Sequence, residues 1–149
     1  MSAYRFLSRR VVAGCVCALA LAGCGSMSTS SSVKLSGKLS GAAEVPAVAT
    51  QGAGTVEATF DKSTNRLRYR IVYSGLSGPA IAGHFHGPAA AGQNAGVALG
   101  FKSAASPIEE DAVLTAAQAA DLLAGRWYAN IHTRNHPGGE IRAQVLPAN

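Results

Sequence analysis

The chain has 149 residues, of which 48% are hydrophobic and 14% charged, with a formal net charge of +5. No run of lysines or arginines is interleaved with aromatics, which argues against nucleic acid as a partner despite the basic balance. The 3 cysteines are Cys15, Cys17 and Cys24, all near the N-terminus, so neither a disulfide nor a thiolate ligand is expected in the folded part.

Arg5, Arg9 and Arg10 precede an apolar stretch from Val11 to Leu21, and Leu21-Ala22-Gly23-Cys24 closes it with small residues before a cysteine. Such a stretch is too short to span a bilayer, which takes about 20 apolar residues. The pattern is that of a lipoprotein signal over residues 1–23, with Cys24 as the acylated residue and membrane anchor. Gly25 follows the cysteine where an inner-membrane retention signal carries aspartate, so an outer-membrane anchor facing the periplasm or the exterior is expected. Loss of residues 1–23 removes three basic residues and no acidic ones, leaving 10 against 8, or +2. Residues 24–32 are rich in serine and form a flexible tether. One domain of about 117 residues follows, spanning 33–149, enough to bury a core.

Period-two alternation dominates that domain and assigns each strand an inner and an outer face. Val33, Leu35 and Leu39 alternate with Lys34, Ser36 and Lys38. Val56, Ala58 and Phe60 lie opposite Thr55, Glu57 and Thr59. The polar run Asp61-Lys62-Ser63-Thr64-Asn65 predicts a hairpin turn. Leu67, Tyr69, Ile71 and Tyr73 then share the inner face of the next strand, with Arg66, Arg68 and Arg70 outside. Ile81, Gly83 and Phe85 are assigned inward, opposite His84 and His86. One helix is expected over about residues 115–124, with Thr115 and Gln118 at capping-box spacing and Gly125 at its end. Trp127, Ala129 and Ile131 alternate with Tyr128, Asn130 and His132. In the last strand Ile141, Ala143 and Val145 face inward, and Glu140 and Arg142 are assigned to an outward cross-strand ion pair, the alternative being that they orient a metal-ligating imidazole. The fold class is all-β, an antiparallel sandwich or barrel with one short helix.

All four histidines, His84, His86, His132 and His136, fall in two short segments. His-x-His on a strand places two rings on one face about 7 Å apart at Cα, within reach of one ion. If the two segments are neighbours, His132 joins them, and His136 beside Pro137 is a fourth ligand or a gate. An all-imidazole set favours copper or zinc. The alternative is that each imidazole bonds loop backbone and only stabilises the fold.

Four ordered motifs carry a family resemblance. Glu44-Val45-Pro46 is followed by Gly83-His84-Phe85-His86-Gly87-Pro88-Ala89, then by residues 123–133 with Trp127-Tyr128-Ala129-Asn130-Ile131-His132, then by Pro137-Gly138-Gly139-Glu140-Ile141-Arg142. Over residues 33–147 the chain resembles the CHRD domain, the module named after chordin. Ala47, Gly83 and Ala143 depart from the family pattern, and none is a histidine. The resemblance implies an immunoglobulin-like β domain of extracellular type and no known catalytic reaction. Three functions compete: a lipid-anchored metal-binding protein, a non-catalytic interaction module without metal, and a metalloenzyme resembling superoxide dismutase. The last lacks support, since there is neither an intradomain cysteine pair nor a second metal-binding loop. No Gly-x-Ser-x-Gly elbow is present either, so the chain is not expected to be an enzyme.

Overall fold

The computed structural model describes residues 31–148 together with Met1. The signal segment, Cys24 and nearly all of the tether lie outside the described residues. Eight strands are present in this part: β1 (Ser32–Ser40), β2 (Ala53–Asp61), β3 (Arg66–Ser74), β4 (Ala80–His86), β5 (Val97–Gly100), β6 (Ile108–Val113), β7 (Trp127–Thr133) and β8 (Ile141–Pro147). One helix, α1 (Ala116–Leu123), precedes β7. The strands form one antiparallel sheet in the order β5-β4-β7-β8-β1-β2-β3-β6.

That single hydrogen-bonded surface curls over its own core. Tyr69 on β3 meets Phe85 on β4 edge-to-face at 4.9 Å, although β7, β8, β1 and β2 lie between their strands in the sheet. Phe101 closes the same aromatic cluster, 5.0 Å from Phe85 and 5.4 Å from Tyr69. Leu35, Leu39, Val56, Phe60, Leu67, Ile71, Trp127, Ile131, Ile141 and Val145 complete the core. Each large side chain buried this way contributes about 1.5–3 kcal/mol of transfer free energy. These are the inward residues of the alternation, and the all-β class with one short helix holds.

Local chemistry sets the element ends. The β2–β3 hairpin turns where Asp61 accepts from the Ser63 backbone at 2.8 Å, and Asn65 takes up the positive φ of 51°. Thr115 caps α1 by accepting from the Gln118 backbone, while Gln118 reaches back to the Thr115 backbone. Gly125, at φ 69°, ends it.

Two strands escape the alternation rule. β6 carries Glu109, Glu110 and Asp111 in a row, yet it pairs with β3, where Arg70 meets Glu109 and Arg66 meets Asp111. β5 has four residues and pairs with the histidine strand β4. Ile81 also departs from its assignment: it is exposed, because the β4–β7 register slips between Ala80 and Ala82 and leaves Ile81 on a bulge.

Candidate metal centre

β4 and β7 are hydrogen-bonded neighbours, so the two histidine segments meet. Ala82 pairs with His132 and His84 with Asn130. His84, His86 and His132 all project from the face opposite the core. Their ring nitrogens, one from each residue, lie within 4.8 Å of one another. His84 Nδ1 stands 3.1 Å from His132 Nε2. Two nitrogens bound to one tetrahedral ion at about 2.0–2.1 Å stand about 3.3–3.4 Å apart, so this pair already has nearly the spacing of two ligands.

The other ring nitrogens are held by backbone. His132 Nδ1 is 2.9 Å from the Pro137 carbonyl, and His86 Nδ1 is 2.9 Å from the Ala95 carbonyl. A carbonyl only accepts, so each Nδ1 carries the proton and each Nε2 keeps its lone pair. The Nε2 of His86 is buried with no hydrogen-bond partner. Burial, followed by the neighbouring imidazoles, holds the pKa of His84 below the ordinary histidine value. Burial also lowers that of His132, against the opposing bond to Pro137. Both effects favour neutral rings, the form that binds metal.

His136 is not among the converging rings. It sits in the turn after β7, where its backbone N–H donates to the Thr133 carbonyl at 3.2 Å and its own carbonyl accepts from Gly139 at 3.1 Å. Gly100 faces His84 across the β4–β5 pair and places no side chain over it.

The outer face of β7 is not an ordinary solvent face, since all seven residues of the strand are buried. Tyr128 stacks on His86 at 4.9 Å with the rings 3° from parallel. Arg142 lays its guanidinium 3.3 Å from the Tyr128 ring centroid and bonds Asn94 Oδ1 and the Gln93 carbonyl. Arg142 is 2% exposed. The expected outward ion pair between Glu140 and Arg142 is therefore overturned. Glu140 is fully buried and accepts from Thr50, Ser77 and Thr133, which hold its carboxyl at about 2 against the upward push of burial. Arg68 and Arg70 lie on β3, which four intervening strands separate from β4 in the sheet.

Glu44 is the charged neighbour of Arg142 instead. Burial pushes its carboxyl up to about 7, outweighing the attraction of Arg142 and a hydrogen bond from the Val45 backbone. An acid whose folded pKa is raised binds more protons folded than unfolded, so its contribution to stability falls as pH rises from about 4.5 to about 7. Glu44→Gln is expected to remove this decline. Denaturant midpoints of both proteins across pH 4–8 check it: the variant should gain on the parent as pH rises, and a constant difference would refute the assignment.

Sequence reasoning missed Arg142 and Glu140 as buried groups because alternation ranks outward positions of a strand as solvated, and it gave Glu44, in the β1–β2 connection, no buried role. The only available signal was the position of Glu140 beside Gly138-Gly139, where a tight turn brings backbone in over the strand.

A family model described as the CHRD domain matches residues 35–145. No curated protein and no solved structure matches the chain. The family match spans the β-domain from β1 to β8 and includes His84, His86 and His132. The chain belongs to the CHRD domain family.

Proposed function

We propose that this domain holds one copper or zinc ion through His84, His86 and His132, and that acylation of Cys24 anchors it in the cell envelope, at the outer membrane. The observation that carries the metal reading is the convergence of three imidazoles, two of them pinned by backbone at Nδ1, with His132 Nε2 turned to His84 Nδ1 at 3.1 Å and His86 Nε2 buried and unpartnered. Metal-ligating histidines are oriented in this way by the group on their other nitrogen. An unpaired buried acceptor costs about 1–3 kcal/mol in a domain that gains nothing from it, and a bound ion removes that cost. The CHRD family is a non-enzymatic one, which favours binding over turnover. Imidazoles without thiolate or thioether favour Cu(II) or Zn(II).

The test is calorimetric titration of the untagged mature chain with Cu(II) and Zn(II), with elemental analysis, beside a His84→Ala, His132→Ala double variant. One ion per chain is expected, with affinity at least about 100-fold lower in the variant, beyond the 10–100-fold typical of losing a supporting residue. Equal binding by the two proteins refutes the site.

A recognition role is the second reading. It is favoured by a groove of 780 Å³ on the far half of the sheet, where Lys34, Glu57, Arg68, Arg70 and Glu109 offer charges of both signs. On that reading the histidine variant loses stability with no dependence on metal.

A further inference from the structure

Strand pairing sets where a histidine Cβ points, but χ2 of the ring is broad and roughly two-fold. Turning the ring over exchanges Nδ1 with Cδ2 and Nε2 with Cε1, and so takes a ligand atom out of the set. His132 is fixed by the turn after β7, through the Pro137 carbonyl. His86 is the last residue of β4, where the β4–β5 register shifts, and its ring is held by groups outside its own strand.

Tyr128, opposite His86 on β7, stacks on the imidazole at 4.9 Å with the planes 3° apart. The Ala95 carbonyl accepts from His86 Nδ1 at 2.9 Å. Ala95 lies in the connection between β4 and β5, outside any strand, so this peptide needs an anchor of its own. Tyr128 supplies it: the Ala95 N–H donates to the Tyr128 hydroxyl at 3.2 Å. One side chain thus fixes both the plane of the imidazole and the acceptor that decides which nitrogen turns away.

Tyr128 is fixed in its turn. β8 flanks β7 on the side away from β4, and from β8 Arg142 sets its guanidinium 3.3 Å from the Tyr128 ring centroid. Both residues are buried, which strengthens such a cation–π contact. Arg142 also bonds Asn94 Oδ1 at 2.9 Å and the Gln93 carbonyl, while Asn94 Nδ2 donates to the Val45 carbonyl at 3.0 Å. Arg142 and Tyr128 therefore grip residues 93–95 one after another.

We infer that Tyr128 is the positioning residue of the histidine centre: by stacking on His86 and holding Ala95, it fixes the ring with Nε2 directed to the ion. The inference rests on the metal reading.

The experiment compares the full chain with its Tyr128→Leu and Tyr128→Phe variants, and with Val56→Ala, a core change on β2 that controls for lost stability alone. Long-range proton–nitrogen NMR of the metal-free proteins reads the His86 tautomer. Titration with Cu(II), followed by electron paramagnetic resonance, reads the affinity and the nitrogens on the ion. The parent is expected to hold the Nδ1–H tautomer alone and to give a spectrum of three nitrogen ligands. Tyr128→Leu is expected to mix the tautomers and to bind Cu(II) about 10–100-fold more weakly, with a changed spectrum. Tyr128→Phe keeps the stack and loses the bond to Ala95; it is expected between the two, and it decides alone if Tyr128→Leu does not fold. Val56→Ala should keep the parent's tautomer and spectrum. The role is overturned if a folded Tyr128 variant matches the parent in tautomer and in Cu(II) affinity, or if Val56→Ala loses as much affinity as they do. A parent that binds no Cu(II) overturns the metal reading, and this inference with it.

Discussion

Glu140→Ala is expected to destabilise the domain by about 4 kcal/mol or more, a large share of the 5–15 kcal/mol that holds a typical domain folded. The carboxylate is fully buried and is the common acceptor for four donors. Thr50 Oγ1 lies at 2.7 Å, the Ser77 N–H and hydroxyl both at 2.7 Å, and Thr133 Oγ1 at 2.6 Å. Those donors come from the β1–β2 connection, the β3–β4 connection and the end of β7, so one side chain ties three separate parts of the chain together. Each bond to a charged acceptor is worth about 1.5–3 kcal/mol, and the variant leaves the donors without their acceptor. The pH profile provides a second check. A carboxyl held at about 2 stabilises the fold fully above its ordinary value near 4.5 and loses that contribution as pH falls toward 2. Chemical denaturation at pH 7 and at pH 3 should therefore show the parent losing more stability on acidification than Glu140→Ala does. Equal losses would show that Glu140 does not supply this stability.

Gly139→Ala is expected to cost several kcal/mol and to weaken metal binding with it. Gly139 holds φ at 126°, in a region that side-chain-bearing residues rarely enter, and such strain costs about 1–3 kcal/mol by itself. A methyl group there would stand 2.5 Å from Glu44 Oε1 and 2.6 Å from Asn130 Nδ2. Both atoms belong to buried residues, so neither has free space to retreat into. The same turn presents the Pro137 carbonyl that orients His132. Thermal unfolding with and without Zn(II) separates the effects: a lower melting temperature in both conditions and a smaller shift on adding Zn(II) are expected. An unchanged Zn(II) shift would detach the turn from the metal centre.

The strands were legible wherever one face meets the core and the other meets water. Leu67, Tyr69 and Ile71 against Arg66, Arg68 and Arg70 is such a case, and the capping box of α1 is another, because its contacts are local in sequence. The convergence of His84 and His86 with His132 was legible as faces but not as adjacency, since pairing β4 with β7 depends on contacts 40 and more residues apart. What escaped was the outer face of β7 and β8. There Tyr128, Asn130 and Arg142 have the polarity of a solvent face and the burial of a core, because the segments around Glu44 and residues 89–96 fold over them. β6 escaped for a related reason: its three consecutive acids find partners in β3 residues more than 35 positions earlier.

The register of β1 fixes a direction for the whole molecule. Ser32, where the described domain begins, pairs with Asp61, and Ser40, at the other end of the strand, pairs with Arg142, which lies in one row with Asn130 and His84. At about 3.3 Å per residue the strand separates those two levels by about 26 Å. A surface that holds this chain by its N-terminus therefore holds it by the pole remote from the imidazoles, leaving them turned outward toward whatever diffuses past.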